Sequence, residues 1–241
     1  ISDGGALIYC SEDQEVCGVA EGTKQTVLKF PYGLPEHTIN NGVSTLHINN
    51  KTYPLQVFGK HNLMNLNGAR LVCNQLGVLD EPFYQAIQSF KGASKRLELV
   101  KKNDSAAMYK DFAHSPSKLK ATTEAVKQQY PNRELVACME LHTFSSLSQE
   151  FLSHYKRSMS LADLPIVYFS PHAIEHKKLP PITEQQVKEG FADDRLMVFT
   201  DSKQLQEFLL AQNWQNKNLL MMSSGNFDGI NFTTFADEII R

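Results

Sequence analysis

From residue 105 onward, short apolar runs alternate with longer, polar-faced stretches, and this alternation restricts the fold more than any single motif does. The runs 106–111, 135–140, 166–169, 196–200 and 219–223 have strand length. The stretches 117–129, 146–162, 184–190, 202–211 and 233–240 have helical spacing. A strand that is apolar on both faces has no side to turn toward water. The pattern therefore predicts an α/β fold, a mostly parallel sheet covered by helices on both sides. In such sheets ligands bind beyond the carboxyl ends of the strands. Three loops fall there, at 111–116, 140–146 and 223–229.

Upstream the pattern differs. Runs at 6–10, 26–30, 44–48 and 52–58 read as strands, with Asn49-Asn50-Lys51 as a hairpin turn in which asparagine takes positive φ. This piece is too small and irregular to make a core alone and reads as the trailing part of a larger domain. Residues 59–77 then form a helix, with Leu63, Leu66 and Cys73 at helical spacing and Gly77 at the C-terminal stop. Asn62 and Asn65 share one face of its first turn. A side-chain amide offers a donor and an acceptor together, as the edge of an adenine does. The plainer roles are an N-cap for Asn62 and a solvated position for Asn65. A second helix runs over 80–89, capped by Asp80, with Phe83, Ile87 and Phe90 on one stripe. The polar turn Lys101-Lys102-Asn103-Asp104 marks a domain joint.

Composition excludes more than it selects. The 241 residues carry a net charge of −2, which gives no bulk electrostatic support to a nucleic-acid partner. No apolar run is long enough for a helical membrane span, and the opening residues do not read as a signal peptide. Cys10, Cys17, Cys73 and Cys138 are scattered and none sits in a CxxC, so free thiols in a reducing, cytoplasmic setting are expected. Neither GxxxxGK[ST], GxSxG nor HExxH occurs, so no phosphate cradle, serine nucleophile elbow or zinc helix is encoded here.

Three loops carry chemistry-bearing residues. In Asp111-Phe112-Ala113-His114-Ser115-Pro116, an acid ends a strand, Ser115 caps a helix and Pro116 opens it. A carboxylate so placed can accept both hydroxyls of a ribose, and His114 sits near a helix N-terminus, where anions are favoured. Its ordinary alternative is a capped strand-to-helix turn. Arg96 beside Lys95 is a candidate phosphate clamp, since guanidinium binds phosphate oxygens in pairs; the alternative is a surface pair with Glu98. Ser223-Ser224-Gly225-Asn226-Phe227-Asp228-Gly229 offers main-chain amides to a carboxylate or phosphate.

In order along the chain stand G-K-H-N-x-x-N, F-x-G-x-x-x-R-x-E and Y-x-D-F-A-H-x-P. This series resembles the Mur ligases, the ATP-dependent amide-forming enzymes of peptidoglycan synthesis, from about residue 40 to 241. The resemblance implies that 1–98 is the tail of the central ATP-binding domain and 99–241 the Rossmann-like C-terminal domain. It implies adenine contacts from Asn62 and Asn65, a phosphate contact from Arg96, a ribose contact from Asp111 and a catalytic place for His114. Lys60 and His61 fill motif positions without an assigned role. ATP, UDP-N-acetylmuramate and a peptide or amino acid are the implied small-molecule partners, with magnesium held mostly by residues outside this chain. The loop MSSGNFDGI resembles that of members joining L-Ala-γ-D-Glu-meso-diaminopimelate to UDP-N-acetylmuramate, the members that add L-alanine being the alternative. That places His142, Ser224, Gly225 and Asn226 at the amine substrate. Where relatives carry an arginine after Glu140, this chain has His142-Thr143-Phe144. The reading from another class is a non-catalytic module that binds a nucleotide or peptide.

Overall fold

Asn49 and Asn50 take left-handed backbone angles, φ 48° and 63°, the geometry a two-residue hairpin turn needs. They sit in the first of two units, Ile1–Lys91 and Gly92–Arg241, of the computed structural model, which describes residues 1–241.

In the first unit, β1 (Ala6–Cys10) and β2 (Leu28–Tyr32) pair in parallel around α1 (Gln14–Glu21). Asp13 caps α1 through the Glu15 and Val16 amides. The eight-residue α1, interrupted by Gly18, was too short to stand out by its periodicity. Next, β3 (His37–Asn40), β4 (Val43–Ile48) and β5 (Lys51–Leu55) form an antiparallel sheet, joined at the asparagine turn. Then come α2 (Lys60–Gln75) and α3 (Asp80–Ile87). Leu46, Tyr53, Leu55, Val57, Leu63, Leu66, Phe83 and Tyr84 make one core, with Tyr53 stacked on Tyr84 at 5.0 Å. Two expected caps differ. Gly59, at φ 88°, precedes α2, so Asn62 lies inside the helix. Asp80 is the first residue of α3, its carboxylate turned back to Arg70 at 2.9 Å and Asn74 at 3.0 Å.

The second unit opens with β6 (Glu98–Lys102) and β7 (Ala107–Asp111), followed by α4 (Pro116–Gln129) and β8 (Glu134–Leu141). A short α5 (Gln149–Leu152) leads to β9 (Leu164–Phe169), α6 (Pro171–His176), α7 (Glu184–Phe191), β10 (Met197–Phe199), α8 (Ser202–Leu210), β11 (Lys217–Met222) and α9 (Phe232–Ile239). The sheet order is β10-β9-β8-β11-β7-β6, and only β6 is antiparallel. Successive residues of the central strands are buried on both faces. Val136, Cys138, Leu219 and Met221 face Leu205, Leu209, Phe235 and Ile239, while Leu135, Ala137, Met139 and Leu220 are equally enclosed. Burying each large aliphatic side chain contributes about 1.5–3 kcal/mol, enough to drive assembly of an α/β layered fold.

The long helix expected over 146–162 is not formed. It is replaced by α5, one 3-10 turn at Ser153–Tyr155 and a run of turns. Arg157 enters the left-handed region at φ 54° and donates its amide to the Phe191 carbonyl at 2.8 Å. Breaking the helix there lets Tyr155 stack flat on Phe191, with centroids 5.0 Å apart and planes 3° off parallel. Tertiary packing has overridden a helical spacing that serine-rich sequence supported only weakly.

Candidate functional site

Glu140 is the penultimate residue of β8, set among Cys138, Met139 and Leu141, and only 2% of it is exposed. A buried carboxylate needs donors. The Ser223 hydroxyl and the Phe227 amide, at 2.9 Å, both donate to Oε2. Ser223 Oγ in turn accepts the Gly225 amide at 2.6 Å. Glu140 thus gathers the loop after β11 onto the end of β8. The loop then turns sharply through three left-handed residues, Phe227, Asp228 and Gly229, at φ 52°, 54° and 93°. Tyr168 ties it from β9, its hydroxyl donating to Asp228 at 2.6 Å. Burial, then the Asp228 carboxylate, push the Tyr168 phenol well above its ordinary range.

Gly225 passes so close that a Cβ would lie 2.8 Å from both Glu140 Oε2 and His142 Nδ1. His142 is 38% exposed, with Nδ1 3.5 Å from Glu140 Oε1. Ser224 Oγ is buried without a hydrogen-bond partner. Asn226 is exposed, and its side-chain oxygen accepts the Gly229 amide at 3.2 Å. His142, Ser224 and Gly225 are therefore brought together over Glu140. The set offers an imidazole and a hydroxyl to a polar ligand, while the Gly225, Phe227 and Gly229 amides are spent in folding the loop.

Asp111 ends β7 with 8% exposure. Oδ2 accepts the Leu97 amide at 2.5 Å and Oδ1 the Ala113 amide at 2.6 Å. Its carbonyl accepts the Ser223 amide at 3.0 Å, joining this strand end to the loop after β11. His114 Nδ1 lies 2.8 Å from the Phe112 carbonyl. A carbonyl only accepts, so Nδ1 carries the proton and Nε2 is left for another partner. Ser115 occupies the N-cap and Pro116 the first helical position, although the Ser115 side chain makes no capping bond. Arg96 is exposed and does not pair with Glu98, which instead takes the Lys95 amide at 2.8 Å and Lys110 at 2.9 Å.

In the first unit, Asn62 Nδ2 donates to the Phe58 carbonyl at 2.9 Å, so one amide hydrogen is spent within the chain. Asn65 is exposed. Lys60 pairs with Glu12 at 2.6 Å.

No family model matches the chain. By sequence it is 31% identical over 179 residues to a UDP-N-acetylmuramate–L-alanine ligase from Caldicellulosiruptor saccharolyticus, covering 69% of this chain and 39% of that protein. The solved structure of UDP-N-acetylmuramate–alanine ligase from Thermotoga maritima matches with a TM-score of 0.70 at 15% identity, over 96% of this chain and 51% of that one. Sequence and fold together support the Mur ligase family. A murein peptide ligase from Psychrobacter arcticus shares the fold with a TM-score of 0.61 at 18% identity, over 99% of this chain and 52% of that one. The chain spans about half the length of these Mur ligases or less.

Two residues of this Mur ligase relative escaped the sequence reading, Glu140 and Ser223. A signal was present for the first: a lone acid inside the apolar run LVACMEL has to meet buried donors. Ser223 carried none, since a serine after a strand is an ordinary turn residue. No three His, Cys, Asp or Glu side chains are grouped to hold a metal ion.

Proposed function

We propose that this chain is part of a cytoplasmic ATP-dependent amide ligase of peptidoglycan synthesis. The observation that carries this is the 179-residue match to a ligase of that chemistry. The loops that hold Asp111, Glu140 and Ser223 at the carboxyl ends of parallel strands support it, because ligands of such sheets gather there.

In the complete enzyme, the carboxylate of UDP-N-acetylmuramate takes the γ-phosphoryl group of ATP and becomes an acyl phosphate. The amine of the second substrate attacks the carbonyl carbon. The C–N bond forms, the C–O bond to phosphate breaks, and the nitrogen loses a proton. Positioning and neutralisation of phosphoryl charge lower the barrier. Magnesium, when bound, shields that charge. From this chain, Asn62 and Asn65 are assigned to adenine and the exposed Arg96 guanidinium to the phosphates. Asp111 is assigned to the ribose, and His114, whose Nε2 is left for another partner, to a catalytic place beside the nucleotide. His142, Ser224, Gly225 and Asn226 are assigned to the amine substrate.

For that substrate we favour the tripeptide L-Ala-γ-D-Glu-meso-diaminopimelate. The likeness of the loop MSSGNFDGI to that of tripeptide-joining members supports this acceptor. The name of the sequence relative favours L-alanine instead. The test is amine-dependent phosphate release by the complete enzyme with each acceptor, the products checked by mass. Tripeptide turnover at least tenfold above that with L-alanine is expected. The reverse order reassigns the substrate, and no turnover with any amine removes the ligase reading.

A further inference from the structure

We propose that His142 is the general base that frees the attacking amine, with Glu140 as its positioning residue. This rests on the reading of the complete enzyme as an amide ligase, and gives the amine site a chemical step as well as a contact.

An amine that arrives as an ammonium ion has no lone pair with which to attack, so some group must take a proton from it. Among the residues assigned to the amine, only His142 carries a side chain suited to that near neutral pH. It follows the carboxyl end of β8 and is 38% exposed. Glu140, two residues earlier, is 2% exposed, and its two oxygens are used differently. Oε2 takes the Ser223 hydroxyl and the Phe227 amide. Oε1 receives neither and faces His142 Nδ1 at 3.5 Å. A carboxylate only accepts, so the Nδ1 proton is turned toward it and Nε2 keeps its lone pair. The 3.5 Å gap is an ion-pair distance, of the kind active-site pairs close when substrate arrives. Gly225 lies over the pair, where a Cβ would come within 2.8 Å of both Glu140 Oε2 and His142 Nδ1. Only a residue without a side chain lets the loop cover them. A buried acid behind an imidazole whose far nitrogen is open is how a base is held for proton transfer.

The surrounding charged and titratable groups are Tyr168 on β9, Asp228 bound to its hydroxyl at 2.6 Å, and Lys177 after α6, whose ammonium lies 4.9 Å from the centre of the Phe144 ring. The helix α6 also carries His172, Glu175 and His176, all exposed. Of the carboxylates, only Glu140 is within ion-pair distance of His142. In the step, His142 Nε2 takes one proton from the ammonium. The freed lone pair attacks the acyl phosphate carbon and the C–N bond forms. The C–O bond breaks, and phosphate leaves with the electron pair and a second proton from the nitrogen.

The experiment measures kcat and the amine KM of the complete enzyme across pH, with the tripeptide and with L-alanine. His142→Asn should lower kcat about 100-fold, as expected for losing a general base, and leave the amine KM within about threefold of wild type. Wild-type kcat should rise with pH and level off once the imidazole is uncharged. That of His142→Asn should keep rising to high pH, as solvent supplies the free amine instead. His142→Arg restores a cation but no base, so it should be as slow as His142→Asn. Hydroxylamine is uncharged at neutral pH, and with it His142→Asn should form hydroxamate at a rate within a few fold of wild type. Glu140→Gln sets an NH2 group in place of Oε1, so Nδ1 must accept and the proton moves to Nε2. Its kcat should fall with that of His142→Asn, and the double variant should fall no further. If Glu140→Gln does not fold, the two His142 variants decide the question. An unchanged kcat with a raised amine KM in His142→Asn, or recovery in His142→Arg, would overturn the proposal in favour of an imidazolium that binds a substrate carboxylate. A wild type that turns over neither amine removes the ligase reading itself, whereas an active wild type with an equally fast His142→Asn removes this inference alone.

Discussion

The Ser223 hydroxyl donates to the Glu140 carboxylate from 83 residues away in sequence, across β11 and β8, which are neighbours in the sheet. It is one of two donors on Oε2, the other being the Phe227 amide. Ser223→Ala leaves that buried oxygen short of a partner and also frees the Gly225 amide. The expected cost is about 1–3 kcal/mol in denaturant unfolding. In the complete enzyme the amine KM should rise while the ATP KM holds. Unchanged stability would separate Glu140 from the loop it is described as holding.

Gly225→Ala tests the same junction by crowding it. The new methyl would meet Glu140 Oε2 and His142 Nδ1, both at 2.8 Å. Glu140 is pinned by its donors, so the backbone or His142 must move. A loss of about 1–3 kcal/mol is expected, in line with overpacking at tight sites. Thermal melting checks it, and a neutral result would mean that the loop gives way freely.

Tyr155 donates its hydroxyl to the His114 carbonyl at 2.5 Å and stacks on Phe191. The two contacts can be separated. Tyr155→Phe keeps the stack and removes the bond, for about 0.5–1.5 kcal/mol. Tyr155→Ala removes both and leaves a cavity, for about 3–5 kcal/mol. Equal losses from the two variants would contradict this division.

The first unit should weaken in acid. Hydrogen bonds from Lys51, Gln85 and Tyr53 hold the Glu81 carboxyl down to about 2, against an ordinary 4.5. A depressed carboxyl contributes stability that is fully present above its unfolded value. That contribution fades as pH falls below about 4.5 and is gone below about 2. Glu81→Gln should flatten the acid limb of the unfolding midpoint and leave the neutral limb parallel to wild type. An acid limb of unchanged slope would assign the effect to other carboxylates.

These 241 residues by themselves should not hydrolyse ATP, because they contain no GxxxxGK[ST] cradle. Phosphate release by the purified chain, above a buffer control, would contradict this.

The parallel sheet was legible in the sequence because its strands are apolar on both faces, and the Asn49-Asn50 turn because asparagine tolerates positive φ. The helix over 146–162 misled because spacing alone does not report that Tyr155 is wanted against Phe191. In the candidate site, the positions of Asp111, His142 and Gly225 at strand ends were readable from the alternation of elements. What Asp111 touches was not, since its partners, Leu97 and Ala113, donate from the main chain and any residue type could supply those amides. Glu140 and Ser223 were missed for a related reason: their link depends on strand order, and sequence does not state that β11 lies beside β8.

That strand order bears on how the second unit is made. β11 pairs with both β7 and β8, yet it leaves the ribosome after every other strand of the sheet. Until it arrives, β7 and β8 have no shared neighbour and the sheet stands open down its middle. The unit should thus complete as a single late event once its last strand slots in, with the earlier strands in the nascent chain depending on chaperones or on solvent in the meantime.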